Sequence, residues 1–243
     1  MSQFDVPGIP GRLEALLASE RGVAPSRAEV KAATDLGDAV AGQVVARILE
    51  DEVSAPKDAR RAERAAALAA QLRLEAASAA LVRCIARPDN DLLGWHAYRA
   101  LEAIGAAALE PLLEAFASTA DLEVRRRTAE LLAWTQADDP RVRDALLALL
   151  LEDPAAGACR LVDYADPRLV PALERALDAA SLDDPSNGPD GDDPWREPHE
   201  DVVQLASAIR ALGGALSAAR QAKLDDALRR RDDAFAATFG DVG

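Results

Sequence analysis

The chain has 243 residues, an apolar share of 49% and a formal net charge of −14, which is ample for a continuous core. Aromatic residues make up only 4%, and the apolar share rests on Ala and Leu, so close helix-on-helix packing is predicted and a sheet rich in Val, Ile and Tyr is not. A pI near 4.6 sets up a field that repels phosphate backbones and anionic membranes, so neither nucleic acid nor a membrane is an expected partner; it favours cationic partners or simple solubility.

Only Cys84 and Cys159 occur, far apart and each in a helical apolar context, which gives no disulfide framework and no CxxC pair. The opening Met-Ser-Gln-Phe-Asp-Val-Pro-Gly has neither a basic nor an apolar leader region, and no stretch approaches about 18 uninterrupted apolar residues. A cytoplasmic, reducing location is the expectation.

In chain order, a loose lead-in precedes a short helix over Arg12 to Glu20, where Leu13, Leu16 and Leu17 fall at helical spacing. Ser26 and Glu29 form a capping-box pattern that predicts one long helix through about Glu52. Pro56 breaks it, and the Ala- and Leu-rich run from Ala59 to about Ala86 predicts two antiparallel helices interrupted near Gln71 to Leu74. Helices then follow over Leu92 to Ile104, stopped by Gly105, and over about Ala107 to Ala117.

Asp121 caps a helix ending near Trp134, and Asp139-Pro140 opens another through Leu151. A shorter helix is predicted over Ala155 to Asp163, and one from Asp166-Pro167 through about Ala179. The stretch 181–201 is dense in Asp, Glu, Pro and Gly and reads as a long, solvated acidic loop. Helical periodicity resumes over Val202 to Leu212, turns at Gly213-Gly214, and continues from Ala215 to about Arg231, leaving a tail over 232–243 that reads as frayed from Phe235.

Helix, short turn, helix, returned in altered form, spells an all-α solenoid. The stretch Asp121-x-x-Val124-Arg125-x-x-x-Ala129-x-x-Leu132-Ala133, followed by Asp139-Pro140-Arg141-Val142-x-x-Ala145-Leu146, resembles the HEAT-like repeat of the phycobilisome-lyase type. Asp166-Pro167-Arg168-Leu169-Val170-Pro171-Ala172-Leu173 looks like another second helix of that repeat, and Ala103-Ile104-Gly105 and Ala211-Leu212-Gly213 match the ending of its first. Thr135 stands where that ending would put Gly. The resemblance implies a right-handed α-solenoid of stacked antiparallel helix pairs, a HEAT-like or armadillo-type superhelix. Residues 1–89 would be divergent helical pairs or a cap, and 90–231 the repeats, with the acidic loop inserted at 181–201. For function it implies little, because the repeat serves scaffolds, inhibitors and lyases alike.

The sequence carries no recognisable catalytic set. His96 and His199 lie about a hundred residues apart, and no nucleotide-binding or nucleophile-elbow motif appears, so no catalytic residue, cofactor or metal is expected. The acidic loop has the wrong ligand order for an EF-hand. The Arg clusters at 60–61, 125–127 and 229–231 neighbour acids at helical spacing and read as salt-bridged faces.

Trp134 reads as core, at a Leu-like position of the repeat. Trp95 falls with Arg99 and Glu102 on the helix side opposite Leu93, Ala97 and Ile104, as either an inter-repeat packing residue or an exposed anchor for a partner. Trp195 reads as a staple between loop and helix. The candidate partner-binding residues are therefore Trp95, Arg99 and Glu102, with Asp190, Asp192, Asp193 and Trp195 of the acidic loop. The expected function is a non-enzymatic scaffold or adaptor engaging a protein or peptide with basic character. One alternative is an immunity or inhibitor-type partner of a basic toxin or nuclease. The other is a lyase or DNA glycosylase with Asp163 or Asp166 as acid or base.

Overall fold

A computed structural model describes residues 9–18, 22–55, 58–86, 91–183 and 199–239. Every regular element among them is a helix, and no strand occurs among the described residues. None of these helices is long and apolar enough to cross a membrane. The chain divides into two compact units, Met1–Asp138 and Asp139–Gly243.

The N-terminal unit comprises α1 (Ile9–Leu17), α2 (Arg27–Leu36), α3 (Asp38–Ser54), α4 (Ala59–Leu72), α5 (Ser78–Ile85), α6 (Asp91–Ile104), α7 (Leu109–Ser118) and α8 (Leu122–Trp134). Short 3₁₀ turns precede α5 and α7. The single long helix expected from Ser26 to Glu52 is two helices. The capping box forms as read, with the Glu29 N–H donating to Ser26 Oγ and the Ser26 N–H to Glu29 Oε2. The chain then breaks at Gly37, whose φ of 78° is open to glycine at no steric cost and ends α2 where an alanine would have carried it on.

At the centre of this unit α4 is buried nearly all round, with Ala62, Ala65, Ala66, Leu68 and Ala69 inaccessible to solvent. Small side chains let α3 and α6 close on it from different sides. The densest packing crosses residue 90, since α6 lies against both α4 and α5. Residues on both sides of position 90 thus belong to one compact unit, Met1–Asp138.

Burying α4 also buries Arg64, which is 1% exposed. Its guanidinium donates to Glu29 Oε1 from Nε at 3.2 Å and from Nη2 at 2.9 Å, and Nη2 reaches the Leu16 carbonyl at 3.4 Å. One charged pair thus ties α1, α2 and α4 together. Glu63, also on α4, is 5% exposed, and its carboxyl is pushed above the usual range by burial, opposed by Arg60 and reinforced by Glu52. Because the folded value is raised, this group's contribution to stability is complete below the unfolded carboxyl pKa and is lost as pH rises through the raised value. Glu63→Gln is expected to stabilise the protein at pH 7 and to leave it unchanged near pH 4. Urea midpoints at the two pH values check this, and an equal effect at both would refute it.

The C-terminal unit comprises α9 (Pro140–Glu152), α10 (Pro154–Tyr164), α11 (Val170–Ala179), α12 (Glu200–Ala211) and α13 (Ala218–Phe239). α10 packs between α9 and α12, and α12 in turn meets α11 and α13. Asp139, Asp153 and Asp166 each accept a backbone N–H at a helix or 3₁₀ start, and each is followed by Pro at the first position. The carboxyls of Asp139 and Asp166 are held below the usual range, first by hydrogen bonds from the Arg141 and Arg168 side chains.

Helix α13 extends to Phe239, past the tail boundary expected at Arg231. Few of its side chains are buried, Leu224 and Ala227 among them, and cations supply much of its attachment. Arg220 is paired with Asp178 and Glu174, and Lys223 donates to the Leu177 carbonyl. Further along, Arg230 holds the Leu182 carbonyl and the Asp183 carboxylate at 3.0 and 2.9 Å. His199, which starts α12 with a φ of 60°, lies within electrostatic range of the same Arg230 and Asp183.

Candidate functional site

Two helices of the N-terminal unit present stripes to a common cleft. On α8, Glu123, Arg127, Glu130 and Trp134 are spaced four, three and four residues apart and so lie on one face. On α6, Trp95 and Tyr98 are three apart. These six side chains, with Gly94 and Ile85, line an open cleft of about 630 Å³. Trp95 is 57% exposed and Trp134 38% exposed.

The rings meet their neighbours edge to face. Trp95 meets His96 in a T-shaped contact with centroids 4.8 Å apart, and Tyr98 meets Trp134 in another at 5.6 Å. His96 is half-buried, and burial lowers its pKa below the ordinary histidine value, so the imidazole beside Trp95 is neutral at physiological pH. Arg127 donates from Nε to Glu123 Oε1 at 2.8 Å and from Nη1 to the Ile85 carbonyl at 3.4 Å, placing a cation at the C-terminal end of α5.

The placement of Trp134 corrects its reading as core. The buried positions of α8 are Val124, Thr128, Ala129, Leu131, Leu132 and Ala133, and Trp134 lies about two helical turns beyond Arg127, on the charged stripe. The Leu-like repeat position misled because this helix has already turned its apolar side elsewhere. The left-handed residue after α8 is Gln136, with φ 51°, one position beyond Thr135, where the repeat ending pointed. The charged stripe carrying a Trp at its end was legible as a pattern, and helical spacing alone would have found it.

Of the other residues singled out from the sequence, Trp95 is exposed and lines the cleft. Arg99 and Glu102 pair with each other along α6 and do not line it. Asp190, Asp192, Asp193 and Trp195 lie outside the described residues, as does most of the acidic loop.

The carboxylates considered for acid or base roles are engaged in the C-terminal unit. Asp163 accepts from Arg160 at 3.0 Å, and Asp166 caps a turn and is held ionised by Arg168. Cys159 borders a smaller cleft of about 250 Å³ with Asp163 and Gln204. Its thiol donates to Gln204 Oε1 at 3.7 Å and is pushed up in pKa by burial, which keeps it protonated and a poor nucleophile. No group of His, Cys, Asp and Glu among the described residues could hold a metal ion. The chain matches no protein-family model, no curated protein and no solved structure.

Proposed function

We propose that the protein is a non-enzymatic interaction module that engages a protein or peptide through the Trp95–Trp134 cleft. The observation that carries this reading is the pair of solvent-exposed indoles lining one cleft in a chain whose aromatic content is only 4%. Leaving two Trp side chains partly in water forgoes burial that a core position would have supplied, and Trp is the residue type most enriched at binding hot spots. The repeat resemblance supports a HEAT-like solenoid scaffold, and the two isolated cysteines fit a reducing, cytoplasmic location. The charge of −14 favours a partner of opposite sign, of which an inhibited basic toxin or nuclease is one form.

The test is capture of partners from the native host at moderate salt by the full chain and by its Trp95→Ala/Trp134→Ala variant, which carries the same charge. A discrete partner is expected on the wild type and is expected to bind the variant at least about 30-fold more weakly, with circular dichroism unchanged. Equal recovery by both proteins would refute the cleft as the binding face.

A further inference from the structure

We propose that the cleft between α6 and α8 is a cation site that seats the arginine or lysine side chain of a basic peptide against its aromatic rings. This rests on the reading of the cleft as a binding face and adds the chemistry of what enters it. Three observations converge on a cation. The lining includes two indoles and a phenol, and the negative face of such a ring attracts a guanidinium or ammonium placed over it. The charged residues of the lining are two carboxylates, Glu123 and Glu130, against one guanidinium, Arg127. That guanidinium is bound to Glu123 and to the end of α5, so it is fixed in the wall. Glu130 is four residues before Trp134 on α8, within reach of a cation lying on the indole.

The same helix already uses this chemistry internally, where the Arg125 guanidinium lies over the Phe116 ring at 4.3 Å from its centroid. The T-shaped contacts with His96 and between Tyr98 and Trp134 restrain the rings, which reduces the side-chain freedom to be lost on binding. Other occupants fit less well. A stacked nucleobase would bring phosphates toward two carboxylates on a chain of charge −14. A purely apolar side chain would leave the charge of those carboxylates uncomplemented and weaken their hydration.

The probe is a short tetra-arginine peptide, with a tetra-citrulline peptide as its neutral isostere, titrated into the full-length chain at 0.15 M salt, on the order of physiological ionic strength. The indole N–H signals of Trp95 and Trp134 are followed by NMR. The arginine peptide is expected to shift both signals and to bind about tenfold or more tightly than the citrulline peptide. Trp95→Leu and Trp134→Leu, which keep apolar bulk, and Glu130→Gln are each expected to weaken the arginine peptide about fivefold or more.

If citrulline and arginine peptides bind alike and both are lost in Trp95→Leu, the cation proposal fails while the cleft remains a peptide-binding face. If the arginine peptide binds the Trp95→Leu and Trp134→Leu variants undiminished, it binds the acidic surface at large and the proposal is overturned. If neither peptide moves either indole at millimolar concentration, the proposal is likewise overturned; the partner-capture comparison then decides separately whether the cleft binds anything.

Discussion

Gly157→Ala is expected to destabilise the C-terminal unit by about 3 kcal/mol, at the upper end of what overpacking costs. A Cβ on Gly157 would sit 2.3 Å from Leu150 Cα and 2.6 Å from Leu150 N. Both are backbone atoms of α9, so no rotamer change relieves the clash, and α9 and α10 have to separate. The interior on either side is filled by Leu146, Leu149, Ala158 and Leu161, all fully buried, and separation would open voids along that seam. Gly94→Ala in α6 is the matched control. Its nearest neighbour would be the Cys84 carbonyl at 3.9 Å, so gained helix propensity should stabilise by up to about 1 kcal/mol. Urea denaturation measures both changes, and hydrogen exchange assigns the loss in Gly157→Ala to the amides of α9 and α10. A loss below about 1 kcal/mol would mean that the two helices have room the packing does not show.

Arg64→Met is expected to cost about 3 to 5 kcal/mol, because it strands the Glu29 carboxylate at a site where that side chain is 1% exposed. Glu29 would keep the Ser26 N–H on Oε2 but lose both Arg64 donors on Oε1. The double variant Arg64→Met/Glu29→Gln removes the stranded charge and leaves an amide oxygen for the capping box. It is expected to recover at least half of the loss, with a coupling energy of roughly 2 kcal/mol from the double-mutant cycle. Additive single losses would show that the pair is not coupled. The contrast with Glu63 on the same helix is instructive. Glu63 lacks so close a cation, and its carboxyl is driven up by burial. Within one buried helix, the partner decides whether a charge is a tie or a burden.

Much of the local structure was legible because it is set by short-range chemistry. The caps at Ser26, Asp121, Asp139 and Asp166 each accept the backbone N–H that their sequence context implied. The stops at Gly105 and Gly213 take positive φ as expected of that residue type. The break at Gly37 escaped because periodicity continues across it; a single glycine inside a helical pattern is compatible with either outcome until the neighbours are known. Long-range facts were not accessible at all. Nothing in the spacing of Arg64 and Glu29, 35 residues apart, announces that they meet.

The cleft was half visible. Trp95 was singled out by its position opposite the apolar face of α6, and exposure settled one of its two readings. The sequence alone makes Trp134 core, because its position in the repeat is Leu-like. The stripe formed with Glu123, Arg127 and Glu130 carries more weight than that single position, because a helix face is a property of all its members.

Arg230 holds the Leu182 carbonyl and the Asp183 carboxylate, and Arg220 holds Asp178 and Glu174, so α13 is docked on its unit by charge more than by buried apolar area. Attractions between exposed charges are screened within about 8 Å at physiological ionic strength and within about 3 Å at 1 M salt. Raising the salt concentration therefore loosens α13 from the unit while leaving the apolar seams between α9, α10 and α12 intact.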